Sequence, residues 1–171
     1  MCAKILVCYA SRSGATAGVA EEIGKSLAES GFDMEVCPMD EVKDVSPYRA
    51  VVAGSAIQAG RWLPEAMQFM NKFKNDLSSR PVAVFLVCMT LAMPKAEEYR
   101  THVSNWLQPV RTLIKPVSEG LFAGTLEIKR IHSFTDRIKF RLSVLFGVWK
   151  EGDHRKWNEI RDWTSQLAGR L

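Results

Sequence analysis

Ser11, Arg12, Ser13, Gly14, Ala15 and Thr16 put three hydroxyls, a cation and a glycine into six consecutive residues. A near-continuous apolar run, Ile5 to Tyr9, precedes them, and a helical pattern follows. That arrangement suits an anion. A helix N-terminus carries unpaired N–H groups and a partial positive charge. The hydroxyls can add donors, and Gly14 allows close backbone approach. The same residues also make an ordinary capped helix, because Ser and Thr are common N-caps. Position separates the two readings: ligands of open parallel sheets sit at the carboxyl ends of strands. The spacing is neither that of a P-loop nor the dinucleotide fingerprint GxGxxG.

Two further loops offer themselves in the same way. Gly54 ends an apolar strand pattern, and Ser55, Ala56, Ile57, Gln58, Ala59, Gly60 and Trp62 follow it. Cys88, Met89, Thr90 and Leu91 follow another. Small residues such as Ala56 and Ala59 leave room for a flat ring. Trp62 could stack on that ring or simply cap the helix behind it. Gly60 could present a backbone group to the ring edge. Met89 and Leu91 read equally well as core residues.

The elements that must position these loops alternate. Val19, Ile23 and Leu27 give a helical stripe across residues 15–30, with Gly31 as its stop. Short strands are expected at residues 34–37 and 49–54, and another at 82–87 after Pro81. Pro64 opens a helix carrying Met67, Met70, Phe73 and Leu77. Pro94 opens a long helical pattern through Tyr99, Val103, Trp106, Val110 and Leu113, which Pro109 should kink or end. Residues 121–126 read as the fifth strand, and Trp157, Ile160, Thr164, Leu167 and Leu171 as a closing helix. The alternation predicts one α/β domain over residues 1–171, a doubly wound five-stranded parallel sheet in the order 2-1-3-4-5.

Composition narrows the class. Apolar content of 47% and charged content of 25% are those of a globular protein. No segment approaches the roughly 18 apolar residues of a membrane span. The amino-terminal apolar run is too short for a secretory leader, so a cytoplasmic protein is expected. Cys2, Cys8, Cys37 and Cys88 lack metal-ligand spacing and read as reduced thiols, with no metal site. His102, His132 and His154 are isolated, and no side-chain acid or base stands out.

Residues 128–150 differ from the rest. Lys129, Arg130, Arg137, Lys139, Arg141 and Lys150 face only Asp136, so this insertion holds more than the chain's whole net charge of +4. Ile131, Phe134, Ile138, Leu142, Leu145 and Trp149 recur at helical spacing, and Phe140, Val144, Phe146 and Val148 widen the apolar surface. Two readings remain. One is a surface helix packed on the domain. The other is a segment, residues 131–149, that associates peripherally with an anionic membrane on the inner face of the cell membrane. They differ in whether the apolar face stays exposed. Nucleic acid fits poorly, because no recognition motif accompanies the charge.

The pattern Ser-x-Ser-Gly-x-Thr after a first strand resembles the phosphate loop of the flavodoxin family. The stretches GSAIQAG, LFAGTL with FTDRIKFRL, and KEGDHRKWNEIRDWTSQL resemble one FMN-binding branch, the menaquinone-dependent protoporphyrinogen oxidases of bacteria. The sequence departs from that branch at Gln58 and Ala59, where a basic residue and an aromatic are expected. The resemblance implies FMN as cofactor and electron transfer from a porphyrinogen to a quinone. The alternatives are a flavodoxin-like electron carrier or quinone reductase without porphyrin substrate, and a flavin-free docking module. On the resemblance, residues 11–16 hold the phosphate, and residues 55–60, Trp62 and 88–91 surround the ring.

Overall fold

A computed structural model describes residues 4–130 and 133–171. Its strands and helices alternate as β1 (Lys4–Ala10), α1 (Ala15–Glu29), β2 (Met34–Pro38), β3 (Tyr48–Gln58), β4 (Arg61–Trp62), α2 (Pro64–Lys72), α3 (Lys74–Ser78) and β5 (Val82–Cys88). There follow α4 (Ala96–Asn105), α5 (Gln108–Arg111), β6 (Ser118–Ala123), β7 (Thr125–Leu126), α6 (Phe134–Leu145), β8 (Gly152–Asp153) and α7 (Trp157–Ala168). Five strands make a parallel sheet in the order β2-β1-β3-β5-β6. This is the expected topology, with the short hairpin strand β4 added at the end of β3.

Strand periodicity sorts the core into two layers. Ile5 and Val7 of β1 face α1 and α7, where Val19, Ile23, Ile160 and Leu167 are buried. Leu6 and Cys8 face α2 to α5, where Met70, Leu77, Val103 and Val110 are buried. All seven residues of β5 are buried, which explains its unbroken apolar sequence. Phe85 of β5 fills the space above Gly54 of β3, and a Cβ on Gly54 would overlap its ring.

Several boundaries differ from the sequence reading. β3 runs on to Gln58, so Ser55, Ala56 and Ile57 are strand and not loop. The turn that follows uses Ala59 at φ 50° and Gly60 at φ 71°, the two left-handed residues that a two-residue hairpin favours. The pattern after Pro64 breaks at Phe73 into α2 and α3. The long pattern after Pro94 ends at Asn105 and resumes at Gln108. Pro109 accounts for this, since its ring excludes the carbonyl four residues earlier from the helix. The expected fifth strand at 121–126 is two strands, because the chain leaves the sheet at Gly124. The Gly124 N–H donates to the Cys88 carbonyl, and its carbonyl accepts from His154 N. β7 then pairs antiparallel with β8, closing the base of the insertion.

Candidate functional site

The loop between β1 and α1 is built around Gly14, whose φ of 89° turns the chain into the helix. The Gly14 N–H donates to Ser11 Oγ at 3.1 Å, which fixes the loop. No side chain caps α1. Its first turn therefore opens outward as N–H donors with the positive end of the helix dipole behind them. Thr16 is 1% exposed, and its Oγ1 has no hydrogen-bond partner. A buried, unsatisfied hydroxyl costs about 1–3 kcal/mol, and in a native fold calls for an explanation.

A cavity of ≈ 340 Å³ opens directly onto this loop. Arg12, Ser13, Ala15 and Thr16 line it from β1–α1, and Ala56, Ile57 and Gln58 from the end of β3. Val87, Cys88 and Met89 line it from β5. Its walls are mostly apolar, and the β1–α1 loop contributes the Ser13 and Thr16 hydroxyls and the Arg12 guanidinium. Arg12 donates two hydrogen bonds to the Glu65 carboxylate of α2. Burial works most strongly against that carboxylate's charge, but the Arg12 hydrogen bonds, a backbone hydrogen bond and the Arg12 charge together outweigh it and leave its pKa below the usual value. Burial pushes the Cys88 thiol up, against backbone hydrogen bonds from Leu91 and Thr90. Cys88 therefore stays a neutral thiol at ordinary pH, not a thiolate nucleophile.

The remaining residues read from the sequence stand elsewhere. Ser11 and Gly14 shape the loop without lining the cavity. Ser55 is fully buried: its Oγ accepts from Leu63 N at 3.0 Å and donates to the Ala56 carbonyl at 2.8 Å. That hydroxyl ties the hairpin down. Trp62 pairs with Ile57 across the hairpin and is 5% exposed, packed in the core. It does not line the cavity. Gly60 and Trp62 border a separate recess with Trp106 and Met67. Thr90 and Leu91 form a single 3₁₀ turn with Ala92, with Leu91 buried in the core. His102 packs edge-on against Trp106, and His154 bonds the Lys150 carbonyl, both away from the cavity wall.

The insertion and the strand before it also supply wall residues, none of them among the site residues read from the sequence. Leu126, Glu127, Arg130, Ser133, Asp136 and Phe140 all line the cavity. The opposite side of α6 is exposed. α6 contains no buried residue, and Phe134, Leu145 and Phe146 are 72%, 78% and 77% exposed. Its N-terminus is capped by Ser133 Oγ, which accepts from Asp136 N. Ile131 and His132 lie outside the described residues. No helix among the described residues is long and apolar enough to cross a membrane.

The family model for the Flavodoxin domain matches residues 6–150, most of the chain and all three loops. The chain belongs to the flavodoxin domain family. Two relatives span nearly all of it. A protein of Leishmania major named protoporphyrinogen IX dehydrogenase (quinone) is 26% identical over 96% of this chain and 74% of its own length. An Escherichia coli K12 protein of the same name is 22% identical over 96% and 94%. Among solved structures, oxidised flavodoxin 2 from Bacillus cereus matches with a TM-score of 0.63 at 22% identity, covering 99% of this chain and all of its own. A Fusobacterium nucleatum flavodoxin bound to flavin mononucleotide matches with a TM-score of 0.59 at 13% identity, covering 98% of each. At these identities the structures establish the shared fold.

The orphaned Thr16 hydroxyl gives a test of this flavodoxin-type loop without any ligand. Thr16→Val keeps the shape and removes the unsatisfied oxygen. The ligand-free protein should gain about 1 kcal/mol of stability in urea unfolding. A loss of 1 kcal/mol or more would mean that the hydroxyl already serves the fold.

Proposed function

We propose that this chain is an FMN-dependent oxidoreductase that takes electrons from a porphyrinogen and passes them to a quinone, working at an anionic membrane surface. The observation that carries the cofactor assignment is the open N-terminus of α1 with the buried, unpartnered Thr16 Oγ1 beside it. A phosphate monoester satisfies both, since it brings acceptor oxygens and negative charge. Gly14 makes the turn that presents this helix end, because a side chain there would be strained at φ 89°.

FMN, when bound, supplies the redox chemistry, accepting and releasing electrons in one- or two-electron steps. The chain's own residues bind and orient. Ser13 and Thr16 would hold the phosphate on the loop that Ser11 and Gly14 shape. Ala56, Ile57, Gln58, Cys88 and Met89 would line the space for the ring. Ile57, Leu126 and Phe140 make the walls apolar and exclude water. The carboxylates in the wall, Glu127 and Asp136, are paired with Arg130 and Lys139. They serve as structural ions rather than as a general acid or base. The substrate pair is supported by the names of the two relatives, which span 96% of this chain.

The membrane part rests on α6. Its exposed apolar residues lie among Lys139, Arg141 and the other cations of the insertion. A second copy of the chain would bring like charges together, whereas an anionic bilayer matches both charge and apolar surface. Such docking would bring a lipid-soluble quinone close to the cavity that the same helix lines.

Two experiments test these assignments. In the first, the FMN-reconstituted protein is mixed anaerobically with protoporphyrinogen, and then with a menaquinone analogue. Flavin absorbance should bleach and then recover. Stoichiometric flavin that ignores the porphyrinogen would replace this reading with that of an electron carrier. In the second, the protein should float with phosphatidylglycerol vesicles but not with phosphatidylcholine vesicles, and Leu145→Ser with Phe146→Ser should abolish flotation. Undiminished flotation of that double variant would remove α6 from the account.

A further inference from the structure

Arg130 belongs by sequence to the cations of the insertion, but the fold turns it away from them. It ends the 3₁₀ turn Ile128–Arg130 that follows β7. Its Nε bonds Glu127 Oε2 at 2.8 Å, which orients the guanidinium. Its Nη1 then reaches the β1–α1 loop: a Cβ on Gly14 would stand 3.9 Å away. Arg130 lines the same cavity as Ser13 and the buried, unpartnered Thr16. Arg12, the other guanidinium at the rim, is held by both oxygens of Glu65. The loop's own guanidinium is thus committed to Glu65, and the insertion brings a second one whose Nη1 approaches Gly14.

We infer that Arg130 is a cofactor-binding residue that closes over the β1–α1 loop as counter-charge to the FMN phosphate and so latches the insertion to the flavin site. The inference rests on the FMN reading above. A guanidinium–phosphate hydrogen bond is charge-assisted and roughly twice as strong as a neutral one. Cofactor binding and ordering of the insertion are then linked. The phosphate, not the ring, is what the insertion senses.

Riboflavin carries the same ring without the phosphate, so it separates the two contributions. Dissociation constants for FMN and riboflavin are measured by flavin fluorescence for the wild type, Arg130→Gln and Arg141→Gln, the last altering a cation of α6 that does not line the cavity. Arg130→Gln should weaken FMN about tenfold to a hundredfold and leave riboflavin unchanged. It should also flatten the salt dependence of FMN binding. Arg141→Gln should alter neither ligand. As a second measurement, FMN but not riboflavin should slow tryptic cleavage within α6 of the wild type, and that protection should vanish in Arg130→Gln. Equal weakening of FMN and riboflavin would make Arg130 a structural residue of the loop and overturn the inference. An unchanged FMN constant would overturn it too. A wild type that binds neither flavin would instead overturn the cofactor assignment on which the inference stands.

Discussion

The structure turns on one unsatisfied helix end. α1 starts immediately after β1 with no side chain capping it, and the hydroxyl of Thr16 is buried beside it without a partner. A fold that bears this cost in the absence of ligand is organised for an anion. The rest of the protein holds that end in place. β1 is an inner strand, flanked by β2 and β3 and covered on both faces by helices. Gly14 and Ser11 make the sharp turn out of the strand.

The parallel sheet then decides what else can reach the anion. The ends of β1, β3 and β5 open on one edge, and the cavity lies where they meet. Ser55 and Trp62 act beneath this edge. One clamps the hairpin by hydrogen bonds and the other anchors it in the core. The insertion after β7 forms the remaining wall and presents its other side outward. A single short helix thus faces the cavity with Phe140 and the surroundings with Leu145 and Phe146. This two-sidedness ties the site to whatever surface the helix meets.

The sequence carried most of the frame. An apolar run, a hydroxyl-rich turn and a period-3.6 stripe closed by Gly31 are local signals, and β1, the loop and α1 follow from them. Pro109 announced the helix break because its steric effect is also local. The hairpin after β3 left no comparable trace, since Ala59 takes a left-handed conformation that its side chain does not advertise. The division at Gly124 was hidden inside a continuous apolar run. Trp62 and Arg130 are cases of a different kind. Whether an indole covers a ring or fills a core, and whether a cation faces solvent or the β1–α1 loop, depends on contacts between distant segments. Spacing along the chain does not contain that information.

A crystal structure of the protein reconstituted with FMN tests the central claim most directly. The account predicts the phosphate against the first turn of α1, accepting from Thr16 Oγ1, with the ring between the end of β3 and Met89. Flavin density elsewhere, or a phosphate out of reach of Thr16, would contradict it.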